Sequence, residues 1–444
     1  MKKNQNKEKD VIVGIGTSPG RGAISIVRIS GDRAHEITKK VFAPFPKKAN
    51  NLAFGKVLLN GFYDNAMCVW FLAPKSYTGE DMAEVHIHGG SVLAKEALEK
   101  LIALGCRLAE KGEFTKRAFI NGKTGLTSAE GIIDIIDSES RIEAINGSKL
   151  LAGKLEEKTC EIQDRLTEIM AEIEAALDYP EEEIDVSSLP QIKEKLKTAT
   201  EELKILIESS KKSKLIKNGL ETTLVGNTNV GKSSLLNALT GVDRAIVTEI
   251  AGTTRDTIEQ SINYKDIKIN FIDTAGIRKT DNFVESLGVK RSLDAAKKAD
   301  VVLLVYDAEL KNFNEYEEIR KEAKTIVVFN KSDLNKNFKK PFEGIVVSAV
   351  TGEKIEDLKE EIYKKAKTEE INTYPIVLTN ERHIGAVARA SVFLELAFNQ
   401  IDQTTLDCVC VDIRNAWLAL GEITGKNVTE EVISRIFEKF CLGK

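Results

Sequence analysis

Hydrophobic residues change their spacing several times along this chain, and each spacing predicts a different kind of element. Alternation with a period of two predicts strands over residues 11–15, 23–29 and 82–88. From about Ser128 to Leu206, apolar residues recur at spacings of three, four and seven, which predicts long helices packed as a bundle. Further strands are predicted at 220–225, 267–272, 299–306, 326–329 and 345–347, and the run at 299–306 is nearly all apolar, as a strand buried on both faces should be.

The order of these elements predicts a multidomain protein with α/β and all-α parts. An N-terminal α+β domain is expected over residues 1–122. A helical domain is expected from two flanking segments, 123–215 and 372–444, because the helical pattern stops and later returns. Between them, strands that alternate with helical patterns predict an inserted α/β domain with a parallel sheet over 216–371. The ends of a domain often lie close together, which makes such an insertion structurally easy.

A glycine-rich stretch follows the first of the apolar strands. Residues 226–234 are Gly-Asn-Thr-Asn-Val-Gly-Lys-Ser-Ser and fit the phosphate-binding pattern G-x-x-x-x-G-K-[ST]. Glycines let backbone N–H groups turn toward phosphate oxygens, and the start of the next helix adds a positive dipole end. Lys232 supplies a charge to the β- and γ-phosphates, and Ser233 offers a hydroxyl to Mg²⁺. A turn that matches by chance is the alternative, but the flanking strand and helix favour phosphate binding.

Further motifs follow the later apolar strands and identify the nucleotide. The residues at 273–276, Asp-Thr-Ala-Gly, suit a second contact to Mg²⁺ and the γ-phosphate. At 330–333, Asn-Lys-Ser-Asp places a carboxylate that accepts two hydrogen bonds from the ring N–H and exocyclic amine of guanine. Adenine lacks this pair of donors and would leave the carboxylate unpaired, so the sequence predicts GTP. With Ser348-Ala349 after the last strand, the set resembles the GTPase superfamily.

Composition narrows the other possibilities. The chain has 444 residues and a formal net charge of −4, so no overall positive field recruits nucleic acid. Six cysteines are too few for a disulfide framework, and Cys408-x-Cys410 lacks the second pair of a zinc site, which favours a reducing cytoplasm. No apolar run approaches the ~18 residues of a membrane-spanning helix, and the first apolar run is too short for a signal peptide.

The N-terminal strands carry charged residues in unusual places. Arg28 shares one strand face with two isoleucines, and a guanidinium there needs a carboxylate partner within the domain or an anionic ligand. The sequence leaves both alternatives open. Glu84, His86 and His88 share one face of another strand. A third metal ligand is not visible beside the two histidines, so we expect a solvated face or the lining of a pocket.

Short motifs outside the nucleotide loops complete a specific set. They are Gly20-Arg21-Gly22-Ala23-Ile24, Thr78-Gly79-Glu80-Asp81, Gly112-Glu113-Phe114, Ala251-Gly252-Thr253-Thr254-Arg255-Asp256 and the terminal Cys441-Leu442-Gly443-Lys444. With them, the chain from Val11 to Lys444 resembles one family, the bacterial and organellar tRNA-modification GTPases MnmE, also called TrmE. One departure is Asn227-Thr228, where the family more often has Arg-Pro, but those side chains are not expected to do chemistry.

The resemblance implies a reaction and partners. With an FAD-containing partner, MnmG, the family adds a carboxymethylaminomethyl or aminomethyl group at C5 of the wobble uridine of certain tRNAs. A 5-formyl or methylene tetrahydrofolate supplies the one-carbon unit, and GTP hydrolysis drives the conformational cycle. The N-terminal domain would bind this donor and form a homodimer, which joins the partner as a heterotetramer. Matching positions imply folate binding by Arg28, Glu84, Lys123 and Lys444, with Cys441 as a possible active-site residue.

The resemblance also implies how GTP is hydrolysed. Ile277 follows Gly276, where many small GTPases carry a water-orienting glutamine, so another group must position water. Glu285 matches the family's catalytic glutamate and would act together with Lys232. From the residues alone, Glu285 is equally suited to a carboxylate at a helix N-terminus.

Two metal ions and a set of nucleotide contacts follow from the same resemblance. K⁺ would supply positive charge against the developing phosphate charge in place of an arginine finger. The implied ligands are Ser233 and Thr254 for Mg²⁺, and Asn229, Thr248, Ile250 and Thr253 for K⁺. The implied GTP contacts are Asn229, Val230, Gly231, Lys232, Ser233, Ser234, Thr248, Glu249, Ile250, Ala251, Gly252, Thr253, Thr254, Asp273, Thr274, Ala275, Gly276, Asn330, Lys331, Asp333, Ser348 and Ala349.

A second function is compatible with the same nucleotide loops. The chain would then be a regulatory GTPase switch that binds RNA or the ribosome and whose flanking domains only recruit partners. Binding of a folate discriminates between the two hypotheses, because the switch has no use for a one-carbon donor.

Overall fold

The structure is a computed structural model. It describes residues 10–178, 188–241, 259–273, 294–309, 316–335, 337–366, 371, 373–441 and 443. These residues form two compact units, and each unit consists of segments that are far apart in the sequence. The first unit lies within 1–133, 149–192 and 396–444, and the second within 134–148 and 193–395.

The described ranges contain strands in two sheets and helices of very different lengths. The strands are β1 Ile12–Ile15, β2 Ile24–Ser30, β3 Phe42–Ala43, β4 Ala53–Leu58, β5 Tyr63–Phe71, β6 Met82–His88, β7 Arg107–Leu108, β8 Leu220–Val225, β9 Glu259–Tyr264, β10 Ile267–Asp273, β11 Val301–Asp307, β12 Thr325–Asn330 and β13 Ile345–Val346. The helices are α1 Ala34–Val41, α2 Ser91–Ala103, α3 Glu113–Ile120, α4 Leu126–Ile136, α5 Arg141–Leu151, α6 Lys154–Asp178, α7 Ser188–Ser210, α8 Ser213–Asn218, α9 Lys232–Thr240, α10 Glu317–Arg320, α11 Ile355–Lys365, α12 Glu381–Gln400, α13 Leu406–Thr424 and α14 Glu430–Phe437.

The sheet of the first unit has the strand order β3-β4-β5-β6-β2-β1-β7. Its period-two pattern has a direct packing cause. Val27 and Val85 point into a core that includes residues of α1 and α2, and both are almost fully buried. The opposite face carries Arg28 and Glu84, which are direct partners in the antiparallel register of β2 and β6. The strand predicted over 82–88 is confirmed at both ends.

The helical part of the first unit is organised around α6 and α13, which pack side by side. Ile162, Leu166 and Ile169 are fully buried on α6, as the predicted apolar stripe requires. Each such side chain stabilises the fold by about 1.5–3 kcal/mol. Gln163 Nε2 donates a hydrogen bond of 2.9 Å to the carbonyl of Trp417 on α13. None of the described helices is both long and apolar enough to cross a membrane.

The last helix, α14, returns the chain to the N-terminal sheet. It packs on α3, where the rings of Phe119 and Phe437 have centroids 6.1 Å apart. Gly112 precedes α3 with a φ of 66°, and a Cβ there would overlap the carbonyl oxygen of Phe437. Beyond α14, a Cβ added at Gly14 on β1 would lie 3.1 Å from the Cα of Gly443. The end of the described chain is therefore held against β1.

The sheet of the second unit has the strand order β13-β12-β11-β8-β10-β9. Residues 301–305 of β11 are fully buried, which fits the almost wholly apolar run that predicted this strand. The predicted parallel sheet is confirmed for β13, β12, β11, β8 and β10. Strand β9, which the sequence did not predict, runs antiparallel to β10 at the edge and makes the sheet mixed. A two-residue turn joins these strands, with Lys265 at a φ of 53°. The turn contains neither glycine nor asparagine, so the sequence carries no usual hairpin signal.

The domain limits predicted from the sequence stay a prediction. The two compact units cut across α4, α5, α7 and α12, so their limits differ from those predicted.

Candidate functional site

The predicted nucleotide loops follow four parallel strands of the second unit, β8, β10, β12 and β13, and β11 lies between β8 and β12. In the register of β8 and β10, Asp273 pairs with Leu224, one residue before the end of β8. In the register of β11 and β12, Asp307 pairs with Asn330. Ligands of open parallel sheets bind at this carboxyl edge. The structure therefore gathers the described motif residues on one side of the sheet.

The loop between β8 and α9 has the backbone of a phosphate-binding loop. Gly226 has a φ of 151°, and a Cβ there would overlap the carbonyl oxygen of Val305. Gly231 has a φ of 90°, and a Cβ there would overlap the side-chain nitrogen of Asn330. Both positions therefore require glycine for conformation and for space. Asn229 adopts a φ of 63°, which asparagine tolerates better than most residues.

Helix α9 presents its N-terminus to this loop. It begins at Lys232, and within the described residues no side chain caps it and no acidic residue occupies its first turn. Lys232 Nζ donates hydrogen bonds of 2.7 and 2.6 Å to the carbonyl oxygens of Gly226 and Asn227. Its ammonium group is thus folded over the loop, while Ser233 and Ser234 are exposed at the start of the helix. An uncapped helix start with a lysine across it suits phosphate groups.

Asn330 connects the phosphate loop with the loop that follows β13. Its side chain is buried; Nδ2 donates a 3.0 Å hydrogen bond to the carbonyl of Val230, and Oδ1 accepts one of 3.1 Å from the backbone N–H of Ala349. Ser348 Oγ donates to Asp333 Oδ1 at 2.6 Å and so orients that carboxylate. These bonds fix Asp333, the residue predicted to recognise guanine, relative to the phosphate loop.

Sequence reasoning missed Asp307, which lies at the end of β11 in the same site. Its Oδ2 accepts a 2.6 Å ion pair from Lys331 Nζ. A carboxylate that directly ends an all-apolar strand was the available signal, since such a charge at the carboxyl edge of a sheet needs a partner or a ligand.

Part of the predicted site falls outside the described residues. Asp273 is described by its backbone only. The predicted site residues that lie wholly outside the described ranges are Thr248, Glu249, Ile250, Ala251, Gly252, Thr253, Thr254, Thr274, Ala275, Gly276, Glu285 and Lys444.

The described residues fit a magnesium nucleotide. Among them, no three His, Cys, Asp or Glu side chains converge as a metal site. A magnesium ion held by one hydroxyl, phosphate oxygens and water needs no such cluster. Ser233, exposed at the start of α9 beside the phosphate loop, is suitably placed to supply that hydroxyl.

A second group of predicted residues meets in the first unit. Arg28 Nε donates to Glu84 Oε1 at 2.9 Å, so the internal ion pair left open by the sequence is present. The carbonyl oxygen of Gly443 lies 3.5 Å from Arg28 Nη1. The ring of Tyr77 lies 5.8 Å from the Arg28 guanidinium carbon, and two residues later a Cβ at Gly79 would be 3.0 Å from Lys123 Cγ. Arg28 thus contacts both Glu84 and the backbone of Gly443, and Lys123 is exposed beside the adjoining loop. Cys441 is also exposed.

The two histidines of β6 have separate carboxylate partners. His86 Nε2 lies 3.3 Å from Glu84 Oε2, and His88 Nδ1 lies 2.6 Å from Asp64 Oδ1. The hydrogen bond from His86 and the charge of Arg28 lower the pKa of Glu84 despite its burial. Glu84 is therefore an anion at neutral pH, and Arg28, Glu84 and His86 form a polar row across β2 and β6.

The loops at the ends of β8 and β12 define the class of this protein, a P-loop GTPase. A family model described as "GTP-binding protein TrmE N-terminus" matches residues 11–123, and one described as "MnmE helical domain" matches residues 126–441. The chain belongs to the MnmE family of tRNA modification GTPases.

Individual relatives align over almost the whole chain. A tRNA modification GTPase MnmE from Clostridioides difficile (strain 630) is 40% identical over 98% of this chain and 99% of its own length. One from Natranaerobius thermophilus is 38% identical over 98% of this chain and 100% of its own. Among solved structures, the G domain of the T. maritima FeoB iron transporter is 33% identical over 33% of this chain and 98% of that chain, with a TM-score of 0.26.

Proposed function

We propose that this GTPase acts with an FAD-containing MnmG partner to add a carboxymethylaminomethyl or aminomethyl group at C5 of the wobble uridine of certain tRNAs. A tetrahydrofolate derivative would be the one-carbon donor. The observation that carries the proposal is the contact of the chain's tail with the Arg28–Glu84 pair, because it brings the end of the helical domain to the N-terminal sheet. Relatives named for tRNA modification, aligned over the same full length, support it.

The chemistry of this second site suits a folate. The cations Arg28, Lys123 and Lys444 would bind the carboxylates of the glutamate tail, and Glu84 would accept hydrogen bonds from the pterin ring. Arg28 already pairs with Glu84, so a ligand would join an oriented pair instead of ordering a loose side chain. Cys441 stays a possible active-site residue.

The nucleotide site would drive the cycle. Lys232 would hold the β- and γ-phosphates, and Glu285 would position the attacking water. Ser233 and Thr254 would bind Mg²⁺, and Asn229, Thr248, Ile250 and Thr253 would bind K⁺, which supplies positive charge next to the phosphates when it is bound. We propose that the other residues given above as implied GTP contacts also bind the nucleotide.

The proposal includes the assembly in which the reaction takes place. We propose a homodimer formed by the N-terminal domain over 1–122, a heterotetramer with the partner, and a cytoplasmic location. The helical segments 123–215 and 372–444 would carry the inserted GTPase domain over 216–371.

Analysis of tRNA nucleosides tests the reaction. In a strain that lacks this gene, the modified wobble uridine should disappear, and a plasmid with the wild-type gene should restore it. A plasmid with Arg28→Ala should restore it poorly, while Arg141→Ala, an exposed arginine of the second unit, should restore it fully. An unchanged nucleoside profile in the deletion strain would refute the proposed reaction.

Calorimetry with 5-formyltetrahydrofolate tests the donor site. Wild-type protein should release binding heat, and Arg28→Ala should bind about 10–100-fold more weakly, as expected for the loss of a charge-assisted hydrogen bond. The absence of any heat with wild-type protein would instead favour a regulatory switch that has no one-carbon chemistry.

A further inference from the structure

Lys331, in the guanine-recognition loop, has a backbone conformation that directs its side chain across the phosphate loop. Its φ is 67°, in the left-handed region that residues with a Cβ seldom adopt. A Cβ built at Gly231 would lie 4.0 Å from Lys331 Cε, so the end of the lysine stem passes over this glycine. The stem therefore lies between the phosphate loop and the loop that carries Asp333.

The ammonium group of Lys331 is anchored at its far end by Asp307. The Nζ–Oδ2 distance is 2.6 Å, and only 29% and 14% of the two side chains is exposed. The other carboxylate oxygen, Oδ1, accepts a 3.0 Å hydrogen bond from the backbone N–H of Glu309. Asp307 is itself fixed, since it ends β11 and pairs with Asn330 in the register of β11 and β12. Both oxygens of the carboxylate are thus used to hold one position.

An anchored lysine stem offers a purine a flat apolar surface. Asn330 connects its loop to the phosphate loop, and Asp333 is oriented by Ser348, so a base that reaches Asp333 from the phosphate loop passes the stem of Lys331. A free lysine would have to lose its rotamer freedom each time a nucleotide binds. An anchor that removes this freedom beforehand strengthens binding without touching the ligand.

We propose that Asp307 is a positioning residue for guanine-nucleotide binding, which acts by holding Lys331 extended across Gly231. Asp307 contacts the lysine and not the base. Its effect therefore depends entirely on the presence of Lys331.

A double-mutant cycle on nucleotide affinity tests this dependence. The equilibrium dissociation constant for a fluorescent GDP analogue is measured for full-length wild type, Asp307→Ala, Lys331→Ala and the double variant. We expect Asp307→Ala to bind about tenfold more weakly, or about 1.4 kcal/mol. Lys331→Ala should lose at least as much affinity. In the Lys331→Ala background, the second substitution should cause no further loss, because the group it positions is absent.

Glu360→Ala is the matched control. Glu360 also accepts an ion pair of 2.6 Å, from Lys265, but at the tip of the β9–β10 hairpin and outside the nucleotide loops. It should leave GDP affinity unchanged. If Asp307→Ala binds GDP within twofold of wild type, or if its loss adds fully to that of Lys331→Ala, the proposal is wrong.

Asp307→Asn decides the case should the alanine variant fold poorly. An amide oxygen can still accept from the lysine, but without the charge that makes the pair strong. We expect an intermediate loss of GDP affinity in the wild-type background and none in the Lys331→Ala background. A loss of the same size in both backgrounds would show a general structural role and would overturn the proposal.

Discussion

At the scale of single residues, the nucleotide site holds two non-glycine residues in the left-handed conformation, Asn229 and Lys331. This conformation costs roughly 1–2 kcal/mol for a residue with a Cβ, and less for asparagine. Such a conformation persists only where surrounding contacts fix it. For Lys331 this contact is the ion pair with Asp307. The site is shaped by its own contacts before a nucleotide arrives.

Asp333→Asn should change the preferred base from guanine to xanthine. The side-chain oxygen of asparagine can still accept the hydrogen bond from Ser348. Its NH₂ group, however, would face the amine of guanine, and two donors cannot pair. Xanthine carries a carbonyl in place of that amine, and this carbonyl can accept a hydrogen bond from the NH₂ group. Two unmet polar groups of this kind weaken GDP binding by about 100-fold. Competition of GDP and XDP against a fluorescent nucleotide measures the preference. Unchanged discrimination would show that Asp333 does not read the base.

Potassium dependence tests the proposed role of Asn229. If its side chain helps to hold K⁺, GTP hydrolysis should be about tenfold or more faster in KCl than in NaCl at equal ionic strength, because the ion stabilises developing charge. Asn229→Ala should reduce this difference. Equal rates of the wild-type enzyme in the two salts would contradict the assignment.

At the scale of elements, α3 is joined to the N-terminal sheet by an ion-pair network. Arg117 on α3 contacts Asp10, Glu80 and Glu113 at 2.7, 3.1 and 2.9 Å. Arg107 on β7 contacts Glu113 at 2.6 Å. Only 5% of the Glu80 side chain is exposed, so its charge depends on these partners. The network holds the loop between β5 and β6 beside the proposed folate site.

Arg117→Ala should destabilise the first unit by about 3 kcal/mol. The substitution leaves the buried carboxylate of Glu80 without its cation, and an uncompensated buried charge costs more than the pair contributes. Arg414→Ala, which removes an exposed pair with Glu174 in the same unit, should cost about 1 kcal/mol or less. Chemical denaturation followed by circular dichroism compares the two. If the two variants lose the same free energy of unfolding, the ion pairs around Arg117 contribute no more to stability than an exposed surface pair.

Acid should weaken the same network. Burial alone would raise the pKa of Glu113, but hydrogen bonds from Arg107 and Arg117 hold it below the usual 4.5. The pKa of Asp10 is likewise lowered from 3.8 by these two arginines despite partial burial. A carboxyl group with a lowered pKa stabilises the fold above its unfolded-state pKa, and this stability is lost as pH falls through the folded value. At pH values below about 4.5, the free energy of unfolding should therefore decrease as the pH is lowered. The decrease should be less steep for Glu113→Gln. An identical slope for wild type and variant would show that Glu113 does not contribute to the acid sensitivity.

Local patterns predicted part of the elements and few of the contacts between them; β4 and β5, for example, were not predicted. Strands 82–88 and 220–225 have the predicted limits because alternation and apolar runs are local signals. Strand β9 was missed because its turn through Lys265 lacks a typical hairpin residue. The pairing of Arg28 with Glu84, 56 positions apart, depends on strand register, which only the folded sheet sets. The anchor of Lys331 on Asp307 was invisible for the same reason.

At the scale of the whole molecule, the two proposed activities lie in different compact units. The tail and Arg28 belong to the first unit, and the phosphate and base loops belong to the second. Relatives align over nearly the full length, so the combination of both units, and not the GTPase part alone, distinguishes this family.

Truncation after Phe440 tests this separation. The shortened chain keeps Phe440 in its buried position against Phe437, so α14 should stay docked on α3. It loses Gly443, whose carbonyl lies beside Arg28, and Lys444, a proposed folate ligand. We expect the calorimetric signal with 5-formyltetrahydrofolate to weaken by at least tenfold, as for the loss of one charged contact. The affinity for fluorescent GDP should stay within twofold of wild type, because every described residue that is predicted to contact the nucleotide lies in the second unit. If the truncated protein binds the folate with full affinity, the tail is not part of the donor site. If the affinity for GDP falls in parallel, the truncation unfolds the chain.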